Sequence, residues 1–429
     1  MHNLDLTLSD ISKIEGKAGC DIKIRDGLVK EVKFSIAEFK RFYTQAIRGK
    51  DIAALPQLTA RICGTCSNAH LLCAIKACEN ILGIKVSQQT LLLRQLLNFG
   101  LIIRDHALHL YIFVLPDFFG RDSILDFKED DGPEHKFLHD AFAVKSAGNH
   151  LSIAVGGRSV HAPYPMVGGF TRLPDKAELI KCLQELKGIR SRVIDLVKLF
   201  LEKDKTLVRN NLQFAALLDE SYSFLDGEIY HTDGKEAPEK YGDNLKYVSI
   251  PYSHASGFRF RGKTFMTGAL ARLNLGKEKL HKKSKQSLGP ILDIFPSQNI
   301  YHNNLAQAIE ILHSIDSAAD IIENLDIKEE KQLPITRKAG EGVGVIEAPR
   351  GILYYRLAID GTGRIIKGQI VVPTGQNQIG IEESIRVYLE NNLEKLNDRE
   401  ILEKEIESIV RAYDPCMSCA SHFLKIRYS

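Results

Sequence analysis

Two pairs of cysteines near opposite ends of the chain constrain its fold more than any other feature. Arg61-Ile62-Cys63-Gly64-Thr65-Cys66-Ser67-Asn68-Ala69-His70 carries the first pair, and Asp414-Pro415-Cys416-Met417-Ser418-Cys419-Ala420-Ser421-His422 carries the second. In each, two thiols stand three positions apart and an imidazole follows. The upstream pair opens an apolar helical pattern and the downstream pair follows another. An i, i+3 spacing on one helical turn points both sulfurs of a pair the same way. A fold that brings the pairs together gathers four thiolates, which is a site for a soft metal. Structural zinc is also held by two Cys-x-x-Cys pairs, usually on neighbouring segments. Here 350 residues separate Cys66 from Cys416, in a chain of 429 residues long enough to bury a large core without a metal staple. Spacing alone leaves zinc and a redox metal equally open.

Composition narrows the class. A hydrophobic fraction of 44% and a charged fraction of 26% are those of a soluble globular protein. A net charge of +3 is too small to argue for nucleic acid or an acidic membrane surface as a partner. The most apolar stretch, Leu91 to Phe119, is interrupted by Arg94, Arg104, Asp105 and Asp117, which excludes a lipid-facing span. The N-terminus lacks the basic, apolar, small-residue order of a secretory signal, so a cytoplasmic location is expected. Eight cysteines then read as thiols and metal ligands rather than disulfides. Cys20, Cys73, Cys78 and Cys182 are scattered on apolar faces and read as packing residues. They form none of the ligand runs of an iron–sulfur cluster, so electrons from a redox centre here need a partner protein.

No linker divides the chain, and a single domain over residues 1–429 is expected. The patterning predicts a predominantly helical α+β fold. Residues 19–36 read as a β-hairpin about Asp26-Gly27. Helical spacing runs from about Pro56 to Leu82, through the first motif, and again from Gln88 to Leu115. An acidic loop spans 118–136, an amphipathic helix 175–204, and loops with short strands 205–300. A helix over 301–326 precedes strands from Pro334 onward, with Asp360-Gly361-Thr362-Gly363 as a hairpin turn. Helices at roughly 380–395 and 398–412 lead into the second motif.

The complete motifs resemble the signatures of the large subunit of nickel–iron hydrogenases, Arg-x-Cys-Gly-x-Cys-x-x-x-His and Asp-Pro-Cys-x-x-Cys-x-x-His. The resemblance runs from Glu15 to His422, is weakest over 205–300, and is nearest to the cytoplasmic, bidirectional, NAD(P)-linked and sulfhydrogenase branch. It implies that family's fold, a central bundle of long helices with peripheral β-hairpins, and its activity, reversible heterolytic cleavage of H2. It implies Cys63 and Cys416 as terminal nickel ligands, and Cys66 and Cys419 as bridges to an iron carrying carbon monoxide and cyanide.

Further segments extend the likeness. Glu15 in Lys13-Ile14-Glu15-Gly16-Lys17 takes the family's proton-passing role, with Lys17 where the family has His. In Glu347-Ala348-Pro349-Arg350-Gly351, Arg350 is expected to hang over the open metal position, where guanidinium donors suit a diatomic ligand. Thr374, after Val371-Val372-Pro373, is expected to bond a cyanide. Asp105, Asp414 and Arg350 would form a canopy, His70 and Pro349 would line the cofactor, and His106 and His109 would brace Asp105 or the ligand cysteines. The loop Gly156–His161 with Gly168-Gly169 resembles one near the family's subunit contact. A second metal, magnesium or iron, would use His422 and a carbonyl near Ile370. The family's Glu for that metal is replaced here by Thr44, with Glu38 the nearby carboxylate. Residues 423–429 resemble the tail that a maturation endopeptidase removes. Implied partners are a small iron–sulfur subunit and a flavin-containing NAD(P) diaphorase.

Overall fold

This computed structural model describes residues 3–39, 41–130, 132–393 and 398–421. Alternating apolar positions build β1 (Leu4–Leu8), β2 (Ala18–Arg25) and β3 (Leu28–Ile36) into an antiparallel sheet in that order. The β2–β3 hairpin closes at Asp26-Gly27, where both residues have positive φ, 52° and 72°. Gly adopts that conformation freely and Asp tolerates it.

Five long helices follow: α1 (Ser67–Leu82), α2 (Gln88–Ala107), α3 (Pro133–Gly156), α4 (Lys176–Glu202) and α5 (His302–Asn324). Side-chain caps set their starts. Ser87 Oγ accepts from Thr90 N at the head of α2, and Asp175 accepts from Ala177 N and Glu178 N at the head of α4. Helix α2 packs on α3, α3 on α4, α4 on α5, and α5 back on α2, closing a four-helix bundle. The expectation of a central long-helix bundle holds.

Helix α3 was not foreseen. Its buried face includes Phe137, Ala141, Val144, Gly148, Leu151 and Val155, where small residues interrupt the apolar signal. That smallness has a use where α2 and α3 cross. A Cβ on Gly148 would stand 2.7 Å from Arg104 N and 2.8 Å from Gly100 O, so only glycine lets the backbones meet there.

The chain does not leave helical geometry at Ala107. Leu108–Val114 widen into π-helical turns and Leu115–Phe118 return to α, giving one rod over 31 residues, Gln88–Phe118. By length and composition this rod is apolar enough to cross a membrane. However, 83% of its apolar window is buried among the other elements, which makes it the core of the bundle.

Strands β4 (Gln213–Leu218), β5 (Glu228–His231), β6 (Gly234–Glu236) and β7 (Phe265–Met266) form a second sheet in the order β7–β4–β5–β6. A third, antiparallel sheet contains β8 (Gly340–Ala348), β9 (Gly351–Ile359) and β10 (Ile365–Val371). Helix α1 lies against β8 and β9. Ala348 pairs with Gly351, so the β8–β9 turn is the dipeptide Pro349-Arg350.

Two more helices follow, α6 (Pro373–Asn391) and α7 (Arg399–Ala412). Helix α6 begins seven residues before the expected 380 because Pro373, whose fixed φ suits a first turn, starts it. After α7 the chain reverses through Asp414, at φ 47°, and delivers the second motif to the first.

Candidate metal centre

The four motif cysteines converge. Cys63 Sγ is 3.3 Å from Cys416 Sγ, Cys66 Sγ is 2.9 Å from Cys419 Sγ, and Cys416 Sγ is 3.0 Å from Cys419 Sγ. All four sulfurs lie within 4.8 Å of one another, and each cysteine is at most 4% exposed. They remain free thiols, well beyond the ~2.05 Å of a disulfide.

The local geometry differs from the expected helical turns. Cys63 is extended (φ −146°, ψ 144°) and Cys66 caps the start of α1. Likewise Cys416 is extended (φ −115°, ψ 100°) before the short helix Met417–Ala420. Each pair therefore straddles a coil-to-helix junction. The extended residue can reach sideways to the other pair, which a helical residue at i cannot.

The sulfurs share protons unevenly. Hydrogen bonds from Cys416, Cys419 and Cys66 hold the Cys63 thiol well below its ordinary pKa, against burial. Cys416 and Cys419 are pushed well up, chiefly by burial. For Cys66, hydrogen bonding to Cys416 and Cys419 lowers the pKa, but Cys63 and burial outweigh it and leave it at about 11. Without metal, Cys63 thus gives up its proton more readily than the other three sulfurs. A metal ion displaces the remaining protons as it binds.

Beside the thiols lies a narrow gap of about 10 Å³, lined by Cys66, Cys416, Cys419, His70, Ala348, Pro349, Arg350, Leu353, Pro373 and Thr374. Arg350 projects from the β8–β9 turn and is 4% exposed. Its Nη1 donates to Asp105 Oδ2 at 2.6 Å, and its Nη2 stands 3.0 Å from Asp414 Oδ1. Asp105 and Asp414 keep this guanidinium protonated against the cost of burial. Burial in turn lifts the Asp105 carboxyl above the ordinary carboxylate range. Among the described residues, Arg350 Nε and Asp105 Oδ1 have no hydrogen-bond partner. Thr374 Oγ1 accepts from Cys416 N at 2.9 Å, which leaves its own hydroxyl proton to donate.

Glu15 meets the second cysteine pair at its backbone. Its strand residue bridges Cys416, its carbonyl accepts from Met417 N, and its carboxylate accepts from Ser418 Oγ at 2.6 Å and Ser418 N at 3.1 Å. Burial, helped by charge on Cys63, raises its pKa above the ordinary value. His70 Nε2 lies 3.5 Å from Cys419 Sγ while Nδ1 faces the Tyr355 hydroxyl at 2.7 Å.

Other expected residues fall elsewhere. His106 Nε2 faces Glu310 Oε2 at 2.9 Å, so it braces neither Asp105 nor a cysteine. His109 is linked to Asp414 through Gln307, whose Nε2 donates to Asp414 Oδ2 at 2.8 Å. Thr44 and Ile370 line one cleft together with Lys367, and Glu38 accepts from Lys17 N and Phe39 N instead of facing it. Thr44, Ile370 and Lys367 by themselves bring no carboxylate to a hard cation. His422 and residues 423–429 lie outside the described residues. Cys20, Cys73, Cys78 and Cys182 are buried singly, as packing residues; Cys73 Sγ, for example, contacts Gly344 O and Leu353 O.

Sequence reasoning missed Arg272, Glu310, Gln307 and Tyr355. The sequence did carry a signal for two of them. Asn303, Gln307, Glu310 and Ser314 recur at helical spacing along an otherwise apolar α5, and all are buried.

Comparison with known proteins agrees with this geometry. The fold matches the crystal structure of an NAD+-reducing [NiFe]-hydrogenase in the H2-reduced state with a TM-score of 0.84, covering 98% of this chain and 99% of that one at 22% identity. The family model described as nickel-dependent hydrogenase matches residues 41–135 and 219–422. Sulfhydrogenase 1 subunit alpha of Pyrococcus furiosus is 34% identical, with 99% of each chain covered. Sulfhydrogenase 2 subunit alpha of the same organism is 31% identical over 98% of this chain and 100% of its own. The chain belongs to the nickel-dependent hydrogenase family, as a large subunit. It is therefore an oxidoreductase acting on hydrogen.

Proposed function

We propose that this catalytic subunit holds a nickel–iron centre, with Cys63 and Cys416 as terminal nickel ligands and Cys66 and Cys419 bridging to an iron that carries cyanide and carbon monoxide. One observation supports the reading above the others: four buried thiols converge beside Arg350, Pro349 and Thr374. The donor set suits soft metals, and the wall that Arg350, Pro349 and Thr374 place beside the sulfurs is one that a zinc staple does not need. The bound group supplies the two-electron chemistry by which H2 becomes two protons and two electrons, reversibly.

This chain's side chains do the rest. Arg350, fixed by Asp105 and Asp414, offers donors toward the gap in a site that excludes water. Thr374 points a hydroxyl at the same space, and Pro349 and Leu353 wall it with carbon. Glu15 takes the proton released beside Cys416, its pKa lifted toward the range useful to a general base. Replacing Glu15 with Gln keeps the hydrogen-bond shape but removes the base. Turnover is expected to fall by about 10²–10⁴-fold with metal content unchanged; wild-type turnover in E15Q would refute the role.

Electrons leave through a small iron–sulfur subunit and, in the same reading, a flavin-bearing diaphorase that exchanges them with NAD(P). Relatives named as alpha subunits support an assembly of several chains. The whole chain acts as one catalytic domain in the cytoplasm, consistent with eight free cysteines. A maturation endopeptidase cuts after His422, which intact mass of the loaded protein would test; a mass that retains Ser429 refutes it.

The decisive experiment pairs metal analysis with infrared spectroscopy of the purified native complex. Nickel and iron in equal amounts with carbonyl and cyanide bands are expected. Zinc alone, without such bands, would overturn the reading.

A further inference from the structure

Arg104 precedes Asp105 on α2 and is 5% exposed. Its Nη1 donates to Ser159 O at 2.5 Å and its Nη2 donates to Thr65 O. Both partners are neutral carbonyls. Among the described residues no carboxylate oxygen lies within 4 Å of this guanidinium. Other deeply buried guanidinium groups are held by acid: Arg350 by Asp105, Arg94 by Glu79, Arg272 by Glu310 and Glu347. A buried cation without a counter-charge is costly, so the charge must be balanced from nearby. Burial draws the Arg104 pKa down, while charge on Asp105, Cys66 and Cys63 acts to hold it up.

The two carbonyls define what the residue joins. Thr65 lies inside the Cys63–Cys66 turn, and Ser159 lies in the loop that leaves α3. The same two segments are stitched at other points: Asn68 Nδ2 donates to Ser159 O at 3.1 Å, and His161 N donates to Ser67 Oγ at 3.0 Å. The backbone beneath is fixed as well, because Gly148 of α3 presses on Arg104 N. Arg104 is thus anchored at its own backbone and spans the junction with a planar fork that lysine cannot reproduce.

We propose that Arg104 is a positioning residue of the metal centre: its fork clamps the Cys63–Cys66 turn to the loop after α3, and its charge is the counter-charge of the thiolates. The inference rests on those thiols holding nickel and iron with diatomic ligands. It concerns electron density at the metals, so it is read spectroscopically.

The test compares the wild-type complex with Arg104→Met and Arg104→Lys by infrared spectroscopy, redox titration and metal analysis. Loss of a positive charge leaves the centre more electron-rich. R104M is therefore expected to shift the carbonyl and cyanide bands to lower frequency and to make the midpoint potential more negative. R104K keeps the charge but spans one carbonyl, so its bands are expected to hold their mean position and broaden. R104M with wild-type bands and potential would overturn the inference, as would R104K shifting as far as R104M. Should R104M fail to accumulate as loaded protein, R104K decides: bands unchanged in position and width refute the clamp, and broadened bands support it. Absence of diatomic bands from the wild-type complex refutes the proposed centre and the inference together, whereas unmoved bands in the variants refute Arg104 alone.

Discussion

His70 reaches the cluster at one sulfur, Cys419, and is itself steered by the Tyr355 hydroxyl. A group that orients a ligand in this way typically contributes about 10–100-fold to metal affinity or activity. His70→Ala is expected to lose that much in metal retention or turnover, read as nickel and iron per chain and as hydrogen uptake. Full metal content and full rate would show that Cys419 needs no orienting partner. His313 lies in the bundle away from the cluster, wholly buried. Its Nδ1 accepts from His281 N at 2.9 Å and its Nε2 faces Tyr222 O at 3.0 Å, the pattern of a neutral ring. Burial pulls its pKa down to about 4 from an ordinary 6.5. As pH falls below 6.5 the unfolded chain takes up a proton that the folded chain refuses. Stability is therefore intact above 6.5 and declines toward pH 4, by about 3 kcal/mol at most. Denaturant midpoints at pH 7 and pH 5 measure it, and His313→Gln should flatten the difference.

The turn between β8 and β9 depends on a helix that carries no ligand. Arg272 is fully buried and uses its whole fork. Nε and Nη2 donate to Glu310 at 2.6 Å, Nη1 donates to Glu347 at 2.6 Å and to Ala348 O at 3.2 Å, and Nη2 donates to Pro349 O at 2.9 Å. Those last two carbonyls belong to the two residues that precede Arg350 on the chain. Arg272→Met leaves two carboxylates buried without their cation, an expected cost of about 3–5 kcal/mol. Thermal unfolding of the variant against wild type checks it; a loss below about 1 kcal/mol would mean the carboxylates had already neutralised each other by sharing protons.

How much of this was legible beforehand follows from where the information lies. Motif residues such as Cys63, Arg350 and Glu15 announce themselves because chemistry restricts their identity and neighbours. Helix α2 announces itself by apolar period. Arg272 stands in a short helix within the poorly patterned 205–300 region, and its partners lie 38 and 75 positions away. Nothing local marks it. The extended conformation of Cys63 and Cys416 was equally hidden, since an i, i+3 spacing reads as helix unless the tertiary fold pulls one residue out.

Across the whole molecule, the centre joins residues from both ends of the chain to a bundle that folds around its own core. Removal of the metals withdraws a ligand that binds only the folded state, so the melting temperature is expected to drop. The loss should be uneven. Amide exchange is expected to accelerate around Glu15 and over Tyr413–Ser421, while α2 to α5 keep their protection. Uniform acceleration across the bundle would show that the metals support the entire fold instead of its closure. The separation of 350 positions between Cys66 and Cys416 carries one more consequence, which belongs to synthesis. A chain still growing on the ribosome, not yet extended to Cys416, owns two sulfurs of the four and none of the second pair's backbone. It cannot close a four-sulfur cage around any ion. Occupancy of the site therefore certifies that synthesis has passed Cys419, and metal is not committed to shorter fragments.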